Sequence, residues 1–355
     1  MNQKADLSAK ILENIPWKSD SNPIWPFTAF ILRRNVSKFH FPSKLNPNEA
    51  AQLLTTLKSA IFNIPEMSGG FFFKKEDLGP LDKELLLEHF LFMGAIPESP
   101  SGSGFLINPS TVLMNMLNVE DHLEICYIDS KGNLENTLNV LNSMENILGG
   151  HLDFSFSPRF GYLTSDPARC GTALSVHAFL HLPAIVQTEQ LSEIWIKQND
   201  ESLLATGIAG NPEELIGDMI VLQNNYTLGM SEDAILRAIK TMASKLIVTE
   251  KTIRSQIKKE GAAKIKDKIS KAYGLLVHSY ELEVKEALNL LSLIKLGLDL
   301  GWVSAIESSK LDELFFKCRR GHLSHLFPEA IDLKQIAHKR AEYLHAQLQG
   351  MQLNI

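Results

Sequence analysis

Cysteine is scarce: Cys126, Cys170 and Cys318 are the three in 355 residues. A small odd number builds no disulfide framework and predicts a reducing, cytoplasmic setting. Long apolar runs are missing too. The richest stretch, Leu288 to Val303, is broken by Asn289, Lys295 and Asp299, which excludes a membrane-spanning helix there. Met1 to Lys18 lacks the apolar centre of a secretory signal. Neither sign of charge dominates, with 35 Lys and Arg against 41 Asp and Glu and a formal net charge of -6. That balance argues against a partner such as nucleic acid or an anionic membrane coated over the whole surface. Walker A and G-x-G-x-x-G loops are absent, as are internal repeats.

What is present is ordinary globular material, 45% hydrophobic and 21% charged, at a length that predicts roughly two to three domains. Residues 1–20 read as a short helix or tail. Asn46 caps a helix with Pro47 in its first turn and Glu49 three residues on; Ala50, Leu53, Leu54, Leu57 and Ile61 form its apolar face. Phe71–Phe73, Phe105–Asn108, Thr111–Leu117, Leu123–Ile128, Gly161–Thr164 and Leu174–Leu182 read as strands, and two more flank Gly207–Gly210. Helices are predicted at Asp82–Phe92 and Leu134–Leu148, with a turn-rich loop at Pro97–Gly104. Short turns join many strands, which favours antiparallel pairing. After Ser231 the pattern is helical. The fold class is therefore α+β, an antiparallel sheet flanked by helices over 21–250 and a small all-α domain over 251–355.

Most chemical motifs are weak. The Lys/Arg-rich segment Lys251 to Lys271 reads as a solvated helix face. His177 and His181 fall on a strand, about 13 Å apart, and the pairs His322/His325 and His338/His345 lack a carboxylate or cysteine set in the sequence, so no metal site is predicted. Cys170, beside Arg169, reads as an inert thiol sooner than a reactive one. More informative is Asn118-Val119-Glu120-Asp121-His122, two carboxylates and an imidazole where a strand meets a turn. A second loop, Gly207 to Asp218, carries Glu213 and Glu214 between glycines. Two mobile acidic loops meeting across a pocket would suit a guanidinium, which a carboxylate holds bidentately and deprotonates.

Gly161-Tyr162-Leu163-Thr164-Ser165, Gly171-Thr172 and Leu180 to Ala184 resemble the phosphagen kinases, the ATP:guanidino phosphotransferases. Asn118 to Leu123 is similar to their N-E-E-D-H-L motif, and Gly217 to Gly229 to the segment after their mobile loop. Arg34-Asn35 and Phe39 to Leu45 resemble their N-terminal motif. Lys271 to Leu276 and Lys285 to Gly301 resemble the C-terminal domain of bacterial protein arginine kinases. The resemblance runs from about Trp25 to the end. It implies a catalytic domain of the glutamine synthetase/guanidino kinase type, phosphoryl transfer from ATP with Mg²⁺ to arginine in protein substrates, and a place in Clp-type protein quality control. A Clp-type unfoldase or protease, a zinc-binding activator protein and a homodimer are the implied partners. Glu120 would orient and deprotonate the guanidinium, Glu214 would hold its other edge, and Asn118, Asp121 and His122 would support the loop.

The sequence also departs from that family. Its two N-terminal phosphate-binding arginines fall on Ala29 and Ile31, the one after E-D-H-L on Glu124, the one in G-T-x-x-R on Ser175, and those of the mobile loop on Thr206 or Ala209. The active-site cysteine falls on Asp166, and Val119 replaces a glutamate. In the C-terminal phosphoarginine motif, Ile336 and Ala337 replace the first pair while Arg340 and Ala341 remain. One transition-state arginine is worth roughly 10³ to 10⁵ in rate. Arg33, Arg34, Arg159 and Arg169 are the nearby candidates to contact nucleotide. Two expectations follow: an impaired kinase, or a pseudokinase that binds without transferring phosphate.

Overall fold

The computed structural model describes residues 3–17, 22–91, 102–198, 200–328 and 335–355. The expected loop at Pro97–Gly104 lies mostly outside them, as does Phe92. In chain order the strands are β1 (Phe27–Arg34), β2 (Phe71–Lys74), β3 (Gly104–Ile107), β4 (Leu113–Leu117), β5 (Leu123–Asp129), β6 (Phe156–Ser157), β7 (Gly161–Tyr162), β8 (Leu174–His181), β9 (Leu203–Gly207), β10 (Met219–Asn224), β11 (Val303–Ser304) and β12 (Gln352–Leu353). Eight of them form one antiparallel sheet in the order β2-β3-β4-β5-β1-β8-β10-β9. β1 is central and buried along its length, because both faces of the sheet are covered.

The period of two sorts β1 onto two faces. Phe30, Leu32 and Arg34 look one way. There Arg34 reaches Glu145 of α4 (Leu134–Gly149) with a bidentate pair at 2.9 and 2.7 Å. Phe27, Ala29, Ile31 and Arg33 look the other way. On that face Phe27 stacks on Phe179 at 4.3 Å, and Phe90 closes over both.

Local chemistry explains the helices. α1 (Gln3–Glu13) buries Leu7 and Ile11 beside Leu85 and Leu86 of α3 (Pro80–Glu88), so this part of the N-terminal segment is a packed helix. α2 (Pro47–Ile61) starts with the capping box: Asn46 Oδ1 accepts from Glu49 N, and Glu49 Oε2 accepts from Asn46 N. α3 stops at Glu88, before the expected end. Phe90 adopts φ 58 to send its ring into the Phe27–Phe179–Phe316 cluster. The strand expected at Gly161–Thr164 is only Gly161–Tyr162, since Thr164 and Asp166 bond locally to shape the next turn. Two short helices follow, α5 (Pro183–Gln187) and α6 (Leu191–Gln198).

α7 (Glu232–Glu260) runs unbroken for 29 residues, from its Ser231 cap to Gly261 in the left-handed conformation. Residue 250, where the sequence suggested a cut, lies inside it. Glu250 is fully buried and accepts from Ala184 N and Ile185 N, both at 2.9 Å, and from Arg254 Nε at 2.7 Å. It thereby caps α5 and anchors α7 to the end of β8. The lysines of the 251–271 segment are largely exposed while Ile253, Ile257, Ile265 and Ile269 are buried, as expected of a solvated face.

α8 (Ala263–His278) and α9 (Val284–Leu300) pack together, and Gly301, at φ 79, ends α9. α10 (Ser308–Lys317), α11 (Arg320–Leu326) and α12 (Ile336–Gln347) complete the helical part. α11 docks on α3: Glu88 accepts from Gly321 N, His322 N and His322 Nδ1 at 2.8–3.1 Å, and His325 meets Asp82 at 3.2 Å. The carboxylates absent from the histidines' own sequence neighbourhood are thus supplied by α3. Among the described residues, no group of three or more His, Cys, Asp or Glu is arranged to hold a metal. No described helix is long and apolar enough to cross a membrane.

Candidate active site

The loop between β4 and β5 presents the carboxylate expected to meet a guanidinium. Glu120 is exposed, while Asn118, Asp121 and His122 behind it are buried. Asn118 takes φ 54 and ties the loop to Ala50 and Gly102 through its side-chain amide, 3.1 Å from each carbonyl. Asp121 Oδ1 accepts from Asn35 Nδ2 at 2.6 Å and from Ser165 N at 2.7 Å. His122 Nδ1 accepts from Val36 N, so its Nε2 carries the proton and donates to His40 O at 2.7 Å. Burial lowers the His122 pKa, against the His40 carbonyl and Asp121, which raise it. Ser165 Oγ donates to the Glu120 carbonyl at 2.6 Å. Hydrogen bonds of Asn118, Asp121, His122 and Ser165 thus fasten the turn that carries Glu120 at its surface.

Asn35 is the hub that sequence reasoning missed as a site residue. Its amide also donates to Leu163 O at 3.0 Å, and its Oδ1 accepts from His122 N at 2.9 Å. The signal was the polar run Arg33-Arg34-Asn35 at the end of a mostly apolar strand.

Beside this loop lies the sheet face of Ala29, Ile31 and Arg33. The register sets Arg33 opposite Glu124, and Ile31 opposite both Cys126 and Ser175; Ala29 faces His177. Thr206 lies on the same face through Val221 and Phe179, whereas Ala209 is exposed in the loop beyond β9. Most of the positions where the resemblance expects phosphate-binding arginine thus share one face and carry no cation. Arg33 and Arg169 supply the positive charge found there. Arg33 pairs with Glu124 at 3.2 Å, Arg169 with Asp166 at 3.6 Å, and each donates an N–H to the Ser175 hydroxyl, at 2.9 and 3.1 Å. Burial raises the Glu124 carboxyl to about 7; Arg33 opposes this, and Asp121 and Glu120 add to it. Burial, then Arg33 and Arg169, push His177 down to about 3, and neither of its ring nitrogens has a partner. Cys126 is inert, its thiol raised to about 12 by burial.

Charge decides what this face suits. Glu120 and Asp166, with Glu124 about half protonated near neutral pH, offset Arg33 and Arg169, and each arginine already faces a carboxylate. A triphosphate needs uncompensated cations. These residues do not fit ATP with Mg²⁺ as a family cradle would.

The other candidates are placed apart. Arg34 is 1% exposed, bound to Glu145, to two backbone carbonyls and to the face of Tyr162 at 3.5 Å. It looks away from Arg33 and is a structural group, not a nucleotide ligand. Arg159 is exposed at the tip of the β6–β7 hairpin, 5.0 Å over Phe160. Arg340 is 2% exposed and donates to Cys318 O and Leu282 O, both at 2.7 Å, so it joins helices and offers no open phosphoarginine pocket.

Glu214 is the clearest departure. β5 begins beside the Glu120 loop, whereas the β9–β10 loop carrying Glu214 leaves the sheet at the His181 and Asp129 end. Seven residues of β5 separate the two levels, about 20 Å at a strand's rise per residue. Glu214 pairs with Lys285 of α9, Gly217 N donates to Asn289 Oδ1 at 2.6 Å, and Asp218 accepts from Ser292 Oγ. The two acidic loops do not meet, and the second is fastened to the C-terminal helices.

The family model for the ATP:guanido phosphotransferase C-terminal catalytic domain matches residues 55–253, and that for the protein-arginine kinase McsB C-terminal domain matches residues 262–354. A protein-arginine kinase of Chlamydia pneumoniae is 35% identical over 353 residues, covering 96% of this chain and 97% of its own. One from Geobacillus stearothermophilus is 30% identical over 313 residues, covering 86% of each. Among solved structures, the duplicated taurocyamine kinase of Schistosoma mansoni aligns with a TM-score of 0.58 at 25% identity, over 68% of this chain and 35% of that one, so this chain spans about a third of it. A lombricine kinase shares the fold, with a TM-score of 0.57 at 17% identity over 69% of this chain and 71% of its own. With the sheet, the Glu120 turn and the helical C-terminal part already described, these matches show that the chain belongs to the ATP:guanido phosphotransferase family, in its protein-arginine kinase branch.

Proposed function

We propose that this chain binds arginine side chains of proteins through Glu120 and is impaired in phosphoryl transfer. The observation that carries this reading is the charge on the shared sheet face. Ala29, Ile31, Glu124 and Ser175 stand where the family resemblance expects arginine, and the nearby Arg33 and Arg169 face Glu124 and Asp166. Glu120, in contrast, is exposed on a turn held by Asn35, Asp121 and Ser165, ready to accept two N–H groups of a guanidinium. A protein of this kind acts as a recognition module for arginine-bearing clients.

A second reading, transfer from ATP through a rebuilt cradle, is favoured by one observation: Arg33 and Arg169 converge on the same Ser175 hydroxyl. Incubation with an arginine-rich unfolded protein and γ-labelled ATP separates the two. The proposed function predicts no acid-labile phosphate above background. Robust labelling that Glu120→Ala abolishes would establish the second reading instead.

A further inference from the structure

Two guanidiniums meet at one neutral oxygen on the sheet face. Arg33 of β1 and Arg169 of the turn after β7 each donate to Ser175 Oγ, at 2.9 and 3.1 Å. They are like charges at close range: burial, then Arg33, lowers the Arg169 pKa. A hydroxyl is a weak partner for two cations, which favour a shared oxyanion. The anion beside Arg33 is Glu124, and the match is poor. Its Oε2 lies 3.2 Å from Arg33 Nε, yet Arg33 Nε and Glu124 Oε1 are both buried without a hydrogen-bond partner. A carboxylate forking onto Arg33 would leave neither atom unpaired.

The surroundings complete a small polar site. His177, two residues beyond Ser175 on β8 and on the same face, has both ring nitrogens buried and unpartnered. Burial, then Arg33 and Arg169, push its pKa down to about 3, so near pH 7 it is neutral with one N–H to give. The Arg169 side chain is 43% exposed and opens this group to solvent. The other charged groups facing it are Glu120 and Asp121 of the β4–β5 turn and Asp166 beside Arg169; burial keeps Cys126 of β5 a neutral thiol. We propose that Arg33, Arg169, Ser175 and His177 form a site for one tetrahedral oxyanion of the phosphate class, and that Glu124 is its built-in gate. The ionised carboxylate engages Arg33 and excludes the ligand; the neutral carboxyl admits it. Burial raises Glu124 to about 7, against Arg33, so the gate opens as pH falls through about 7 and closes as it rises. Neither arginine stands where the family resemblance expects one, and two cations suit a single oxyanion, not a triphosphate. The inference does not rest on the reading of Glu120.

Calorimetric titration of the full chain with sulfate tests it, at an ionic strength fixed with chloride. Sulfate keeps its charge from pH 6 to pH 8, so a change in affinity reports the protein. The affinity should fall roughly tenfold over that range, the ratio of the protonated Glu124 populations. Glu124→Gln should bind at pH 8 as the parent chain binds at pH 6, with a flat profile. Adding Arg169→Ala to that variant should remove the gain; Arg169 is partly exposed, so folding is spared. Inorganic phosphate should displace sulfate from the parent chain at pH 6, and failure to do so overturns the ligand class. A flat profile in the parent chain overturns the gate, as does a Glu124→Gln chain that gains no affinity at pH 8. Sulfate binding that Arg169→Ala leaves intact is an adventitious ion only and equally overturns the proposal.

Discussion

Asn35 bonds Asp121, His122 and Leu163 at once, so its loss leaves several buried polar groups without partners. Asn35→Ala should lower stability by about 2 to 4 kcal/mol in chemical denaturation and release the Glu120 turn, weakening arginine-peptide binding. Glu124 has a folded pKa of about 7 against an ordinary value of 4.5. Between those values the folded chain holds the proton more tightly than the unfolded one. This contribution is fully present below the lower value and is lost as pH rises through about 7. Urea midpoints should therefore fall from pH 5 to pH 8 by this route, and Glu124→Gln should flatten that slope; an equal slope in the variant would remove Glu124 as its source. The sequence made the Asn118–His122 turn legible because its carboxylates and imidazole form a compact motif. It misassigned Arg34 because adjacent strand residues face opposite ways, and Arg34 has an α4 carboxylate 111 residues away. Arg340 failed similarly: its partners are carbonyls of distant helix ends.

The elements were readable where local chemistry sets them. The Asn46 and Ser231 caps and the apolar faces of α2 and α4 are written in short windows. Strand order is not. The β9–β10 loop was expected beside Glu120 because both loops are acidic. Antiparallel pairing of β10 with β8 instead sends it to the opposite end of the sheet, where Lys285, Asn289 and Ser292 of α9 hold it. Gly171 illustrates a constraint visible only in the fold: at φ 107, with Thr227 O where a Cβ would stand, it joins the hairpin to the 226–228 loop. Gly171→Ala should cost at least about 2 kcal/mol, and hydrogen exchange should show the hairpin opening first. Protection equal to that of the parent chain would contradict this.

At the scale of the whole molecule, the helical C-terminal part and the sheet share one buried frame. α7 passes through residue 250, Glu250 caps α5, and Glu88 caps α11. Glu88→Ala should lower the unfolding midpoint, by about 2 to 3 kcal/mol for two backbone donors and a buried imidazole. A fragment ending at residue 250 exposes the broken helix and should be markedly less stable than one ending at Gly261. The fold class was legible because strand-like alternation gives way to helical periodicity along the chain.

We propose that this chain keeps the guanidinium-facing carboxylate of its family and has lost the cationic cradle for a triphosphate. Isothermal titration of the full chain with Mg·ATP tests it most directly. Weak or undetectable binding is the predicted result, since Arg33 and Arg169 already face Glu124 and Asp166. Low-micromolar affinity, abolished by Arg33→Ala or Arg169→Ala, would contradict it.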